Sequence, residues 1–403
     1  MLNSIPPERG SMPGWERQEL RVHQEPEPEP DATAGPSVDV ACVGETMALL
    51  VPEPGGADPA RRYRLDVGGA ESNVAVHLAR LGHRVSWHSV LGADEFAQHI
   101  TTHLTEEGVH CVVRTDPQRC TGLYVKEITP GGTQMRYYRA GSAASTLAPD
   151  DATGIWGRAP RLVHTTGITA ALSTDATALV RTLLRDVPVD APVGESASPG
   201  QGPSPGPLRS FDVNYRPALH GSPRCDSSHS QHPQHPLGSP PTAGAPYDGE
   251  ATAPEYAALL HHLAQSADVV FCGLDEAAAL WNTSTVTEVR ALLDRPDLVV
   301  VKQGADGVTA LGRTDVHAVP APQVEVVEPV GAGDAFAAGV LHGLLSGAGI
   351  RECLAVGTRL AGTVLGVDGD VPPRAAPAGG RIPQPGGDPV PRNRVEEGTA
   401  DVE

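Results

Sequence analysis

Between Glu328 and Phe336 the chain reads Glu-Pro-Val-Gly-Ala-Gly-Asp-Ala-Phe, a glycine turn set between two different hydrophobic periods. Before it, Val324, Val326 and Val327 predict a buried strand; after it, Phe336, Val340 and Leu344 recur at helical spacing. Ala337, Ala338, Gly339 and Gly343 keep that helix thin enough to pack closely on a sheet. A turn that feeds straight into a helix leaves backbone N–H groups unpaired at the positive end of the helix dipole, which suits an anion. Glycine lets backbone approach such a ligand closely. Asp334 is the odd member, a carboxylate where the anion should sit. On residue types alone two readings stay open: a helix cap, or a general base beside a phosphate in transfer. A nicotinamide fingerprint is excluded. The third glycine position is Phe336, and the stretch lies near the C-terminal end of the fold rather than after the first strand.

Composition bounds the rest. The chain has 403 residues, room for one large domain, but 45 Gly and 39 Pro are too many for uniform packing, so part of the length is expected to be disordered. A net charge of −19 argues against a nucleic-acid or anionic-membrane binder, while helix termini and a few local cations can still hold phosphate. Cys42, Cys111, Cys120, Cys225, Cys272 and Cys353 are scattered without C-x-x-C pairs, which fits a reduced compartment and no structural zinc. With no membrane-length apolar run and no signal-peptide core, the expectation is a cytoplasmic protein.

Along the chain, Pro- and Glu-rich residues 1–37 predict a tail, and Val38–Gly44 a first strand with Glu45 and Met47 at its end. Gly68-Gly69 turns into a helix marked by Val74, Leu78 and Leu81 and closed by Gly82, with Asn73 facing back toward the turn. A strand over 84–91 and a helix over 94–107 continue a strand-helix rhythm that argues a parallel sheet covered on both faces. The rhythm breaks at 121–139, where two polar strands flank Pro130-Gly131-Gly132 as a hairpin. It resumes at 162–165, with a helix over 175–185, a strand at 208–212, a helix over 255–265 and a strand at 268–272. A helix opened by Gly273, strands at 298–302 and 308–311, the motif helix and a last helix over 351–365 complete it. The expected organisation is one α/β domain over about 38–372, with a small lid from segments near 61–67 and 120–140. Low-complexity inserts are expected near 188–207 and 221–253, the second carrying His229, His232 and His235 as a solvated loop, and a tail over 373–403.

Gly68-Gly69…Asn73, Asp212-x-Asn214-x-Arg216, Lys302-x-Gly304-x-x-Gly307 and Gly331-Ala332-Gly333-Asp334, in that order, resemble the ribokinase/PfkB family of sugar kinases. Val67–Asn73, Thr121–Tyr124, Tyr137–Ala143 and Gly167–Thr169 are similar to the members that act on 2-keto-3-deoxygluconate. The resemblance implies a ribokinase-like fold with a mostly parallel central sheet, flanking helices and a β-sheet lid. It implies ATP-dependent phosphorylation of that sugar acid at O6, with ATP, Mg2+ and in some members a monovalent cation. Asp334 would take the proton from the primary hydroxyl, and the Gly331, Ala332, Gly333 and Asp334 amides would form the anion hole. Lys302, Gly304 and Gly307 would line the nucleotide site with Gly331 and Gly333, and Glu276 would serve the metal. Gly69, Asn73, Tyr124, Tyr137, Arg139, Ile168 and Arg216 would face the sugar.

The two arginines have a physical rationale, since a sugar acid offers a carboxylate that a guanidinium grips through paired N–H donors. The chain departs from the family pattern at Gly273, where an Asn is usual three residues before Glu276, and at Glu328-Pro329, where Asp-Thr is common. A fructokinase, another sugar kinase of this type, or a non-catalytic sugar- or nucleotide-binding relative are the alternatives. The expected partners are a small sugar acid and a second copy of the chain met through the lid, with no nucleic acid and no membrane.

Overall fold

The computed structural model describes residues 37–53, 62–129, 132–184, 206–216, 253–367 and 369–372. Apart from residues 37, 206, 207 and 253, the expected tails and inserts lie outside this set.

Strands come early and in alternation with helices. The order is β1 (Val40–Val43), β2 (Met47–Pro52), β3 (Tyr63–Gly68), α1 (Ala70–Arg80), β4 (Val85–Gly92), α2 (Glu95–Glu106), β5 (Val109–Asp116), β6 (Leu123–Thr129) and β7 (Gly132–Tyr138). There follow α3 (Ala152–Trp156), β8 (Leu162–Thr166), α4 (Gly167–Ala170), α5 (Thr174–Leu184), β9 (Leu208–Asp212), α6 (Ala253–Ala264), β10 (Val269–Gly273), α7 (Leu274–Trp281) and α8 (Val286–Leu292). The chain closes with β11 (Leu298–Lys302), β12 (Val308–Leu311), β13 (Val316–Val319), α9 (Ala332–Leu345) and α10 (Ile350–Leu365).

Nine strands form one sheet in the order β13-β12-β11-β10-β9-β8-β1-β4-β5. All its pairs are parallel except β11–β12 and β12–β13. Both faces are covered, so the central strands are continuous apolar runs such as Val299-Val300-Val301, all buried. On one face Phe271 meets Phe336 of α9 edge-to-face at 6.2 Å, and on the other Phe211 packs with Leu260 and Leu263 of α6. Phe336→Ala would cost about 3–5 kcal/mol by the usual cost of large cavities. α9 and α10 approach so closely at Gly339 and Gly357 that a side chain on Gly339 would strike the Gly357 backbone. Gly82, with φ +93°, ends α1 as expected, its neighbour His83 returning its N–H to the Leu78 carbonyl at 3.1 Å.

The second sheet is the lid, ordered β3-β2-β6-β7. Here β2 is an addition: the residues just after β1 were expected only to end that strand, yet Met47–Pro52 pairs with β3 on one side and β6 on the other. β5 and β13, the two edge strands of the large sheet, are further additions, and β13 alternates between exposed and partly buried positions. One expectation is corrected. Residues 321–330 form no strand, and Val324, Val326 and Val327 are 41%, 57% and 59% exposed. Val324 and Val326 are apolar because they wall an open cleft, described next, rather than because they join a sheet. Among the described residues no helix is long and apolar enough to cross a membrane.

Candidate active site

The order of strand addition reverses between β1 and β8, which are parallel neighbours in the sheet although β4 and β5 follow β1 in sequence. Parallel sheets leave a crevice at such a switch point, at the C-terminal strand ends. Glu45 follows β1 there, Thr166 ends β8 and Ile168 follows it, Asp212 ends β9 and Lys302 ends β11. α9 points its N-terminus into the same place.

Gly331 precedes α9 with φ +79°, and a side chain on it would collide with the carbonyl of Asp370, so only glycine fits. The first intrahelical bond runs from Ala335 N to Gly331 O at 2.9 Å, which leaves the Gly333 and Asp334 amides at the open helix end. Above Gly333 the space is free, with Lys302 Nζ the one atom near where a Cβ would lie, at 3.7 Å.

Asp334 is the third residue of α9, and its side chain makes no capping bond. Its Oδ2 instead accepts from Asn73 Nδ2 at 2.8 Å. The capping alternative is therefore not what this carboxylate does. Burial pushes its pKa up to about 8 against the Asn73 hydrogen bond; the negative charges of Asp212 and Asp370 add to the rise, and Arg216 opposes it. Asn73 thus sits against the acid itself.

The remaining candidates gather around two cavities. One, about 400 Å³, is lined by Gly69, Tyr124, Tyr137, Arg139, Ile168 and Arg216 together with Asp334, which brings six of the seven expected sugar-facing residues to one place. Tyr124 and Tyr137 stack at 5.5 Å. Arg139 is buried, and its guanidinium is paired with Glu45, which also accepts from Ser142 Oγ. Its charge is already met inside the protein. Arg216 differs: its side chain is 51% exposed and stands 3.5 Å from Glu276 Oε1, too long for a good hydrogen bond. Of the two arginines, it is the one with charge to offer.

The other cavity, about 790 Å³, is lined by Lys302, Gly304 and Gly307 as expected, and by Pro322, Val324, Val326, Phe336, Ala361 and Leu365. Lys302, Pro329 and Gly333 border both cavities, so the two meet at the N-terminus of α9. Lys302 Nζ donates to Asp212 at 2.9 and 3.1 Å. Burial works against its charge, but Asp212 and Glu276 hold the ammonium above its ordinary range. Glu276 Oε2 accepts from the Gly273 amide at 2.7 Å, and burial raises its pKa while Lys302 lowers it. Among the described residues no group of three or more His, Cys, Asp or Glu side chains is gathered as a metal cage. That donor set suits Mg2+ held chiefly by phosphates and water with one or two carboxylates, and the apolar cleft ending on open amides suits a nucleotide.

Four residues of the site were given no role in the sequence reading. Asp370 lines the first cavity, accepts from Tyr124 OH at 3.0 Å, and has its pKa raised by burial to about 6. It lies in the Gly-Asp-Val-Pro end of the domain, where nothing in the residues distinguishes it from the tail. Glu45 was visible only as a strand-end acid, and Asp212 as a strand end and the first residue of the Asp212-x-Asn214-x-Arg216 motif. Asn214 adopts φ +40° beside the cavity with its Oδ1 buried and unpartnered, a backbone form that Asn tolerates better than most residues.

Comparison with known proteins agrees with this geometry. The sequence profile described as pfkB family carbohydrate kinase matches residues 38–186 and 244–376. The chain is 29% identical over 344 residues to the 2-dehydro-3-deoxygluconokinase of Bacillus subtilis (strain 168), covering 83% of this chain and 91% of that one. To the 2-dehydro-3-deoxygluconokinase of Thermoproteus tenax it is 28% identical over 340 residues, covering 83% and 90%. The crystal structure of a PfkB protein from Polaromonas sp. JS666 superposes with a TM-score of 0.62 at 30% identity, covering 81% of this chain and 95% of that one.

Proposed function

The chain belongs to the pfkB family of carbohydrate kinases, and from that premise we propose that it phosphorylates 2-keto-3-deoxygluconate, the 2-dehydro-3-deoxygluconate of its relatives' names, at O6. That it is an ATP-dependent sugar kinase follows from the family. The choice of a sugar acid is supported by one observation above all: the charged cavity beside Asp334 holds Arg216, half-exposed and only loosely paired.

In this reading the sugar lies over Ile168 with Tyr124, Tyr137 and Gly69 around it, its carboxylate toward Arg216 and its primary hydroxyl toward Asp334. Asp334 would accept the hydroxyl proton as the phosphoryl group passes to the sugar oxygen and its bond to the departing ADP breaks, and Asn73 keeps the Asp334 oxygen in place. The Gly333 and Asp334 amides face the charge that builds on the phosphoryl oxygens, while the Ala332 amide, expected to join them, donates to the Pro329 carbonyl at 3.4 Å; Lys302 stands at the same junction. When bound, ATP supplies the phosphoryl group and Mg2+ offsets charge on its oxygens. Lys302, Gly304 and Gly307 would hold the nucleotide along the apolar cleft, and Glu276 would reach the metal through water.

A second copy is proposed to pair through the lid. Strand register puts Leu50, Leu65, Tyr63 and Tyr138 on the sheet face opposite Tyr124, and Tyr63, Leu65 and Tyr138 are 37%, 37% and 49% exposed. Light scattering that gives the monomer mass at micromolar concentration would remove this element. The cytoplasm is the proposed compartment, in keeping with ATP use and with five described cysteines that are all unpaired.

The test is ADP release with 2-keto-3-deoxygluconate, followed by 13C and 31P NMR of the product. Phosphorus coupling at C6 is expected. Coupling at another carbon, or no ADP release, would refute the assignment.

A further inference from the structure

Strand β6 does two things on one face. Tyr124 and Lys126, two residues apart, point to the same side, and the cluster beneath them contains Met47, Leu49, Val51, Met135 and Tyr137. Tyr124 lines the sugar cavity. Lys126 instead reaches out of the lid to the loop that precedes α9, where its Nζ lies 2.6 Å from Glu328 Oε2. Both side chains are shut away from water, at 9% and 7% exposure. Glu328 is three residues before Gly331, and Pro329 between them borders both cavities.

The other holds on this loop come from elsewhere in the chain. Val327 N donates to the Leu365 carbonyl of α10 at 2.8 Å, and Gly331 rests against the backbone of Asp370. Among the described residues the lid's direct hold is the Lys126–Glu328 ion pair. A buried carboxylate whose cation is withdrawn is strongly unfavourable, so the loop and β6 keep one relative position while the pair is made. The amides that face the transferring phosphoryl group follow directly in the chain.

We propose that Lys126 is a positioning residue for phosphoryl transfer: through Glu328 it ties the lid strand that contacts the sugar to the loop that sets the Gly333 and Asp334 amides. This rests on the reading of those amides as the anion hole. Lys126 touches neither substrate in this arrangement. Its effect is to give the sugar-covered lid and the helix terminus a common geometry.

Lys126→Met keeps chain length and removes the charge. The expected result is a kcat on 2-keto-3-deoxygluconate lower by about 10- to 100-fold, the scale of a misplacement of about 1 Å, with KM for the sugar little changed. Lys126→Ala leaves room for a small cation, so methylammonium chloride is expected to restore much of its kcat, while tetramethylammonium chloride at equal ionic strength is not. Glu328→Gln, which keeps an acceptor at the loop and so favours retention of the fold, is expected to lower kcat like Lys126→Met. A Lys126→Met or Glu328→Gln enzyme with wild-type kcat would overturn the proposal. So would a Lys126→Ala kcat deficit that methylammonium does not relieve in folded protein. If the wild type releases no ADP with any sugar, the proposed function fails and this inference with it. If the wild type turns over and Lys126→Met matches it, the positioning role alone fails.

Discussion

The two cavities that meet at the N-terminus of α9 are built from opposite materials. The smaller one brings Glu45, Arg139, Arg216, Lys302, Asp334 and Asp370 to its walls, whereas the larger is mostly Ala, Gly, Pro, Val and Leu with Lys302 at its mouth. The difference teaches where selectivity resides. A polar wall distinguishes ligands by the groups it would leave unpaired, and an apolar slot distinguishes them mainly by shape. Within the charged cavity a second contrast appears, because Glu45–Arg139 and Asp212–Lys302 are closed pairs while Arg216 is half-exposed and only loosely paired with Glu276.

Breaking the charged side at its centre gives the largest effect. Asp334→Asn keeps the helix and nearly the same shape but cannot accept a proton, and kcat is expected to fall by about 10²–10⁴. ADP affinity by calorimetry should stay near wild type, since the apolar cleft is untouched. Near-normal turnover in this variant would remove the base from Asp334.

Next comes Arg216. Replacing it with Ala removes a charge-assisted contact of about 1.5–3 kcal/mol, so kcat/KM for the sugar acid should fall by about 10- to 100-fold. Lys at this position should recover only part, lacking the planar fork. An equal loss on fructose would make the arginine structural.

The junction glycines sharpen the comparison further. Gly331→Ala meets both φ +79° and the Asp370 backbone, so a lowered Tm is expected. Gly333→Ala has room, so Tm should hold while the methyl group intrudes where phosphate oxygens would sit and KM for ATP rises. The opposite pattern would mean that the space over Gly333 is not the anion's.

The smallest effects are in pH. With the Asp334 pKa raised to about 8, kcat/KM should climb with pH through that region as the base is freed. Arg216 lowers this pKa, so Arg216→Ala should move the rising limb upward. For stability the sign follows from the raised folded value. The unfolded chain releases this proton first, near pH 4, so the group's contribution is lost as pH rises toward 8. Asp334→Asn should therefore gain on wild type in thermal melts as pH increases, and a falling difference would contradict the shift.

Much of this was legible in residues. Helical spacing after Gly333 and strand runs such as Leu298–Val301 announce themselves because burial on both faces demands continuous apolar chain. The residues expected to face the sugar were legible through short motifs, and six of the seven line one cavity. What escaped depends on contacts between distant segments. Asp370 meets Tyr124 across 246 positions, and Glu45 neutralises Arg139 across the lid. Val324 and Val326 misled because an apolar ligand wall and a buried strand use the same side chains. β2 was hidden by its nearness to β1: the turn between them, Gly44-Glu45-Thr46, is three residues long.

The comparison rests finally on whether the charged cavity selects a charged sugar, and kcat/KM of the wild-type enzyme measures that directly, with 2-keto-3-deoxygluconate and with fructose in the same coupled ADP-release assay. One charge-assisted contact at Arg216 predicts a preference for the sugar acid of at least about tenfold. Equal efficiency, or a preference for fructose, would contradict it and leave a kinase of neutral sugars.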